Sequence, residues 1–234
     1  MTASTETPSP LRLAAISAAT LVAINLWDYS GLDLALARVM GNVQGFALQD
    51  HWLLTRVFHT GAKSLAWLLV VTLCLAAIWP VGWLQRLPVS RRVQLAVSAL
   101  LAAALIALLK AGSQTSCPWD MHDFGGVARY ASHWTGWIYP DGGSGQCFPA
   151  GHATTGFAFV GGFFALRHAR PRLARVWLWS ALTVGMVLGI GQQLRGAHFM
   201  SHTLWTGWLC WMTAWLSDPL FAPKGTARSV ELRP

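Results

Sequence analysis

The chain has 234 residues, of which 54% are hydrophobic and 11% charged, with a formal net charge of +8. Soluble domains carry about 25% charged residues, so this sequence lacks the charge to clothe a water-facing surface; disorder and small disulfide scaffolds are excluded on the same ground. A basic balance on a soluble chain would suggest nucleic acid, but the apolar load and 14 tryptophans make a membrane the first partner, and nucleic acid is not expected.

A transmembrane helix needs about 20 largely apolar residues. Six runs qualify in chain order: 13–32, 64–84, 93–109, 151–166, 176–194 and 202–220. The predicted fold is all-α, one integral membrane domain over 1–234. It is a six-transmembrane-helix bundle with a long loop between the third and fourth helices. The first run follows Arg12 and is interrupted near its end by Asp28. It is long for a signal sequence and five runs follow it, so it reads as an uncleaved helix.

The connectors differ in charge. Arg86, Arg91 and Arg92 lie between runs two and three; Arg167, Arg170, Arg172 and Arg175 lie between four and five; Lys224, Arg228 and Arg233 follow run six. Basic loops face the cytoplasm. Both termini are then cytoplasmic, and connectors 33–63, 111–150 and 195–201 face outward. On this topology the whole net charge belongs to the cytoplasmic side, and the outward side is neutral in sum.

Three polar stretches sit at the outward ends of runs: Lys110–Gly126, Cys147–His152 (CFPAGH) and Arg195–His202 (RGAHFMSH). Ionisable groups at membrane depth are functional candidates. An Arg fork, a Lys point charge and histidines converging on one face suit a multiply charged anion. Gly151, at a helix start, offers a free N–H to a phosphate oxygen. Two histidines on separate elements fit phosphoryl transfer through a phosphohistidine.

The order Lys110…Pro118, then Pro149-Ala150-Gly151-His152, then Arg195…Gly196-Ala197-His198 resembles the three-part signature of the type 2 phosphatidic acid phosphatase superfamily. Its members are six-span lipid phosphatases and phosphotransferases, related in fold to soluble acid phosphatases and vanadium haloperoxidases. The resemblance implies that Lys110, Arg195 and the Gly151 amide bind phosphate, that His198 is the nucleophile, and that His152 protonates the leaving alkoxide. It implies no metal and no cofactor. A bacterial inner membrane, with the active site on its outer face, is the expected location.

The sequence departs from that pattern at four places. Cys117 stands where the family has Arg, Ala150 where it has Ser, Gln192 where the third-motif Arg belongs, and His202 where an acid follows the nucleophile. His202 shares a helical face with His198 if the helix has begun, and Asp120 or Asp123 could supply the missing carboxylate charge. A register with His202 as nucleophile stays open, although it misses the family spacing by one. Cys117 and Cys147 flank one outward loop, where a disulfide would fix two phosphate-binding motifs.

Other residues read plainly. His51, His59, His122 and His133 are expected to be solvated or interfacial, and the arginine clusters to set topology. Cys74, Cys210 and the Trp205–Trp215 stripe are expected to pack. The function expected is metal-independent hydrolysis of a lipid phosphate monoester or pyrophosphate. Transfer of the phosphoryl group to another lipid is an alternative, as is a non-catalytic membrane protein that binds anionic headgroups.

Overall fold

The computed structural model describes residues 7–222, so the basic tail residues Lys224, Arg228 and Arg233 lie outside the described residues. Helix α1 spans Pro10–Tyr29. Pro10 suits the first helical position, and Ser9 caps the helix, its Oγ accepting from the Arg12 amide at 3.2 Å. Gly31, at φ 72°, turns the chain into α2 (Leu32–Met40). A two-strand hairpin follows, β1 (Gly41–Asn42) against β2 (Gly45–Phe46). Residues Leu53–Gly61 form a π-helix that runs directly into α3 (Ala62–Ile78), which ends just ahead of Pro80. Pro88 precedes α4 (Val89–Gly112).

After the long loop come α5 (Thr154–Phe157), a single 3-10 turn at Ala158–Val160, and α6 (Gly161–Leu166). Pro171 opens α7 (Pro171–Leu194), and α8 (Met200–Ser217) ends the bundle. Among the described residues, four helical segments are long and apolar enough to cross a membrane: Pro10–Tyr29, Leu53–Ile78, Val89–Gly112 and Pro171–Leu194. The chain is a mostly helical integral membrane protein.

Two of the six predicted spans differ. Thr154–Leu166 is a shorter apolar segment. Thirteen residues of helix cover only about 20 Å, but the segment lies inside the bundle. Phe157, Val160, Phe163, Phe164 and Leu166 are all buried, packed among α4, α7 and α8. A helix wrapped by protein need not match the thickness of lipid. In α8, Thr203, Thr206, Ser201 and His202 are buried, which explains its polarity: these residues face protein. The predicted connector 33–63 is largely structured, holding α2, the hairpin and the π-helix.

Small residues set the closest crossing. A Cβ on Gly156 of α5 would overlap the backbone of Gly185 in α7, the use small residues have at membrane helix contacts. Indole groups fasten α8 to α1. Trp208 Nε1 donates to the Ser17 carbonyl at 3.0 Å and Trp211 Nε1 to Ser17 Oγ at 2.8 Å. At one end of the bundle Asp218 accepts from Arg91 at 2.5 Å and from Arg167 at 2.7 Å, and Gln94 joins them at 2.9 Å. These two arginines are nearly buried and tie α4 and α6 to the end of α8, so they do more than mark topology.

Candidate active site

The site is assembled at the opposite end, where α4 and α7 finish and α8 begins. Helix α7 closes with a Schellman turn. Gly196 donates its amide to the Gln193 carbonyl and Ala197 donates to the Gln192 carbonyl, both at 2.9 Å. Gly196 has φ 74°, and a Cβ there would overlap the Phe46 ring, so this position requires glycine. The turn delivers Arg195, Ala197 and His198 in succession. Asp33 of α2 then caps α8, its Oδ1 accepting from the Ser201 amide at 3.0 Å and from Trp27 Nε1 at 2.7 Å.

The long loop is folded onto this turn. Asp141 is buried and accepts from the Ser116 amide and hydroxyl, at 2.7 and 2.6 Å. Trp119 donates its amide to the Gly196 carbonyl at 2.9 Å. Cys117 and Cys147 are bonded to each other, joining the first-motif loop to the second motif. These two sulfurs and His198 lie within 4.8 Å of one another, but sulfurs in a disulfide offer no thiolate to a metal. Ala150 donates its amide to the His202 carbonyl at 3.3 Å, and its own carbonyl accepts from Thr206.

Lys110, Gly151, His152 and His198 come together. The Lys110 side chain passes 3.5 Å from where a Gly151 Cβ would lie. The rings of His152 and His198 are 6.1 Å apart between centroids. His198 is buried, with Nδ1 3.4 Å from Cys147 Sγ. Burial, with Lys110, His202 and His152 adding to it, holds the His198 imidazole well below the usual histidine range; a hydrogen bond to the Cys147 backbone opposes them. His198 is therefore neutral at neutral pH.

Arg195 stands at the rim. Its Nε donates to the Gln49 carbonyl at 2.7 Å and its Nη1 to Gln192 Oε1 at 3.1 Å, and its guanidinium lies over the Trp119 ring. The two carboxylates expected to support His198 are engaged elsewhere. Asp120 accepts from Ser144 at 2.7 Å, and Asp123 pairs with Arg38 at 2.7 Å on the surface.

Two histidines expected to be solvated or interfacial belong to this region, His59 half-exposed and His133 buried against that expectation. The His59 ring lies 4.0 Å from that of His152, brought there by the π-helix; such bulged turns recur at functional sites. His133 is buried, stacks on Phe148 at 4.1 Å and lies 3.4 Å from Asp28. No sequence motif marks either residue. The one available signal was Asp28, a carboxylate inside an apolar run.

Beside the site, a cavity of about 300 Å³ opens between α3 and α4. Trp67, Val70, Leu100, Ala103 and Ile106 line its apolar length, and Lys63, Lys110, Gly151 and His152 line its polar end. A family model described as the PAP2 superfamily matches residues 91–223, which include all three motifs. No curated protein and no solved structure matches the chain.

Proposed function

Because the chain belongs to the PAP2 superfamily, whose members act on phosphate esters as phosphatases or phosphotransferases, we propose that it hydrolyses a lipid phosphate on the outer face of a bacterial inner membrane. The observation that carries the lipid reading is the groove between α3 and α4. It is apolar along the helices and ends on two lysines, the Gly151 backbone and His152. A lipid phosphate has the same division, with chains in the bilayer and a dianion at its surface.

In this reading Lys110, Arg195 and the Gly151 amide hold the phosphoryl oxygens, and Lys63 adds a second ammonium at the mouth of the groove. His198 Nε2 attacks phosphorus in line, and the bond to the lipid oxygen breaks. His152 gives that oxygen its proton. Water then attacks the phosphohistidine, His152 takes a proton back, and inorganic phosphate leaves. Positioning and charge stabilisation supply most of the rate in such transfers, and each step is carried by the chain's own side chains with no metal. The bound dianion favours protonated His152, which burial otherwise disfavours.

The ion network of Arg91, Arg167 and Asp218 lies at the end of the bundle away from the site. With Lys/Arg-rich connectors inside, the site faces out and both termini face the cytoplasm. The test is phosphate release by the purified protein from single lipids: phosphatidic acid, phosphatidylglycerol phosphate, a polyprenyl pyrophosphate and a phosphorylated lipid A. Release from one lipid alone supports hydrolysis over transfer to a second lipid. Full activity in His198→Ala and His152→Ala would sink the mechanism.

A further inference from the structure

Asp28 sits at the outer end of α1, far in sequence from every motif. Its side chain is only 5% exposed. Oδ2 accepts from Trp205 Nε1 at 2.9 Å and Trp134 Nε1 at 3.3 Å, and lies 3.4 Å from His133 Nε2. Oδ1 is buried and makes no hydrogen bond. On α8, His202 is 1% exposed, and its Nδ1 is likewise buried with no hydrogen bond. Both residues line one polar cavity of about 10 Å³, with Asp33, Tyr130, Ser132 and His133 around it. That volume fits roughly one water molecule. On its other side His202 reaches toward the nucleophile. The His198 and His202 rings are 5.9 Å apart between centroids, in an edge-to-face arrangement.

We propose that Asp28 is the carboxylate that supports the His198 nucleophile, acting through a water in this cavity and through His202, with the Trp205 and Trp134 indoles holding its second oxygen. The proposal rests on His198 being the nucleophile. A directly attached acid is replaced by a chain that begins on α1. Asp28 is thus a positioning residue. Its negative charge fixes the orientation of His202, which packs edge-to-face on the His198 ring, and it favours the positive charge that grows on His198 as the N–P bond forms. An unpaired buried carboxylate oxygen is costly, and a water shared with His202 Nδ1 removes that cost.

Asp28→Asn retains an oxygen for both indole donors and deletes the charge. With dioctanoyl phosphatidic acid in detergent micelles, kcat should fall ~10- to 100-fold, the range usual for groups that orient a catalytic residue, with KM unchanged and thermal unfolding as in the wild type. His202→Gln should show the same split, and the double variant should lose no more than the worse single one. Wild-type kcat in folded Asp28→Asn, or losses that multiply in the double variant, overturns the proposal. If Asp28→Asn does not fold, His202→Gln decides, an unchanged kcat being the contrary result. Undiminished activity in His198→Ala removes the nucleophile assignment itself, and that control separates the two failures.

Discussion

His198 lies in a cage of like charges and apolar walls that keeps its ring neutral, and this has a consequence for pH. In the unfolded chain the ring titrates near 6.5; in the folded protein it does so lower. Between those values the unfolded state binds the extra proton, so acidification below about 6.5 favours unfolding. The midpoint of thermal unfolding in detergent should therefore drop on going from pH 7 to pH 5, and His198→Asn should flatten that slope. An equal slope in both proteins would contradict the neutral assignment. Lys110 is the second residue-scale test. Lys110→Met preserves the stem that lies against Gly151 and removes the ammonium, and should lower kcat/KM by about 10²-fold or more.

The residues that could be recognised in the sequence share one property: each belongs to a short motif whose spacing is set by local geometry. Lys110 ends a helix, His152 follows Pro149 by three residues, and His198 follows a glycine that the turn requires. Asp28, His59 and His133 had no such mark. Their places depend on the packing of α1 on α8, on a π-helix that changes the phase of the chain, and on a loop that buries one of its histidines. Asp120 and Asp123, expected to lend charge from the loop, are partnered instead by Ser144 and Arg38.

Among the elements, the long loop is the most exposed to test. It carries the first-motif segment, and it is fastened by Asp141, by the Trp119 contact with Gly196, and by the Cys117–Cys147 bond. Reduction of that bond frees two motif-bearing segments at once and removes a link worth about 2–5 kcal/mol in small domains. Dithiothreitol should lower both the unfolding temperature and kcat. The joint substitution Cys117→Ser/Cys147→Ser should reproduce the reduced values and abolish the response to reductant. The contact of α5 with α7 depends on glycine. Gly156→Ala forces a methyl into the Gly185 backbone, and overpacking of this kind costs about 1–3 kcal/mol. The six apolar runs located these helices, but the short Thr154–Leu166 segment could not be distinguished from a lipid-facing span, because its burial depends on its neighbours.

For the molecule as a whole, the two ends of the bundle are chemically different, and the difference is structural as well as topological. Asp218 compensates two nearly buried arginines at one end. Asp218→Asn leaves both without a full counter-charge, and loss of one partner from a buried pair costs about 3–5 kcal/mol. The unfolding temperature should fall sharply while KM for lipid phosphate in the surviving folded protein stays the same, because the site lies at the other end. An altered KM would show that the ends are coupled. The groove between α3 and α4 joins the apolar middle to the end where Lys110 and His152 lie, which is the shape the proposed lipid phosphate substrate requires.

The central claim is that phosphorus passes through a covalent bond to His198. Purified protein mixed with radiolabelled phosphatidic acid and quenched during turnover should carry acid-labile, base-stable phosphate. Mass spectrometry should place it on the peptide containing His198, and His198→Ala should carry none. Label on any other residue, or label retained in His198→Ala, would contradict the account.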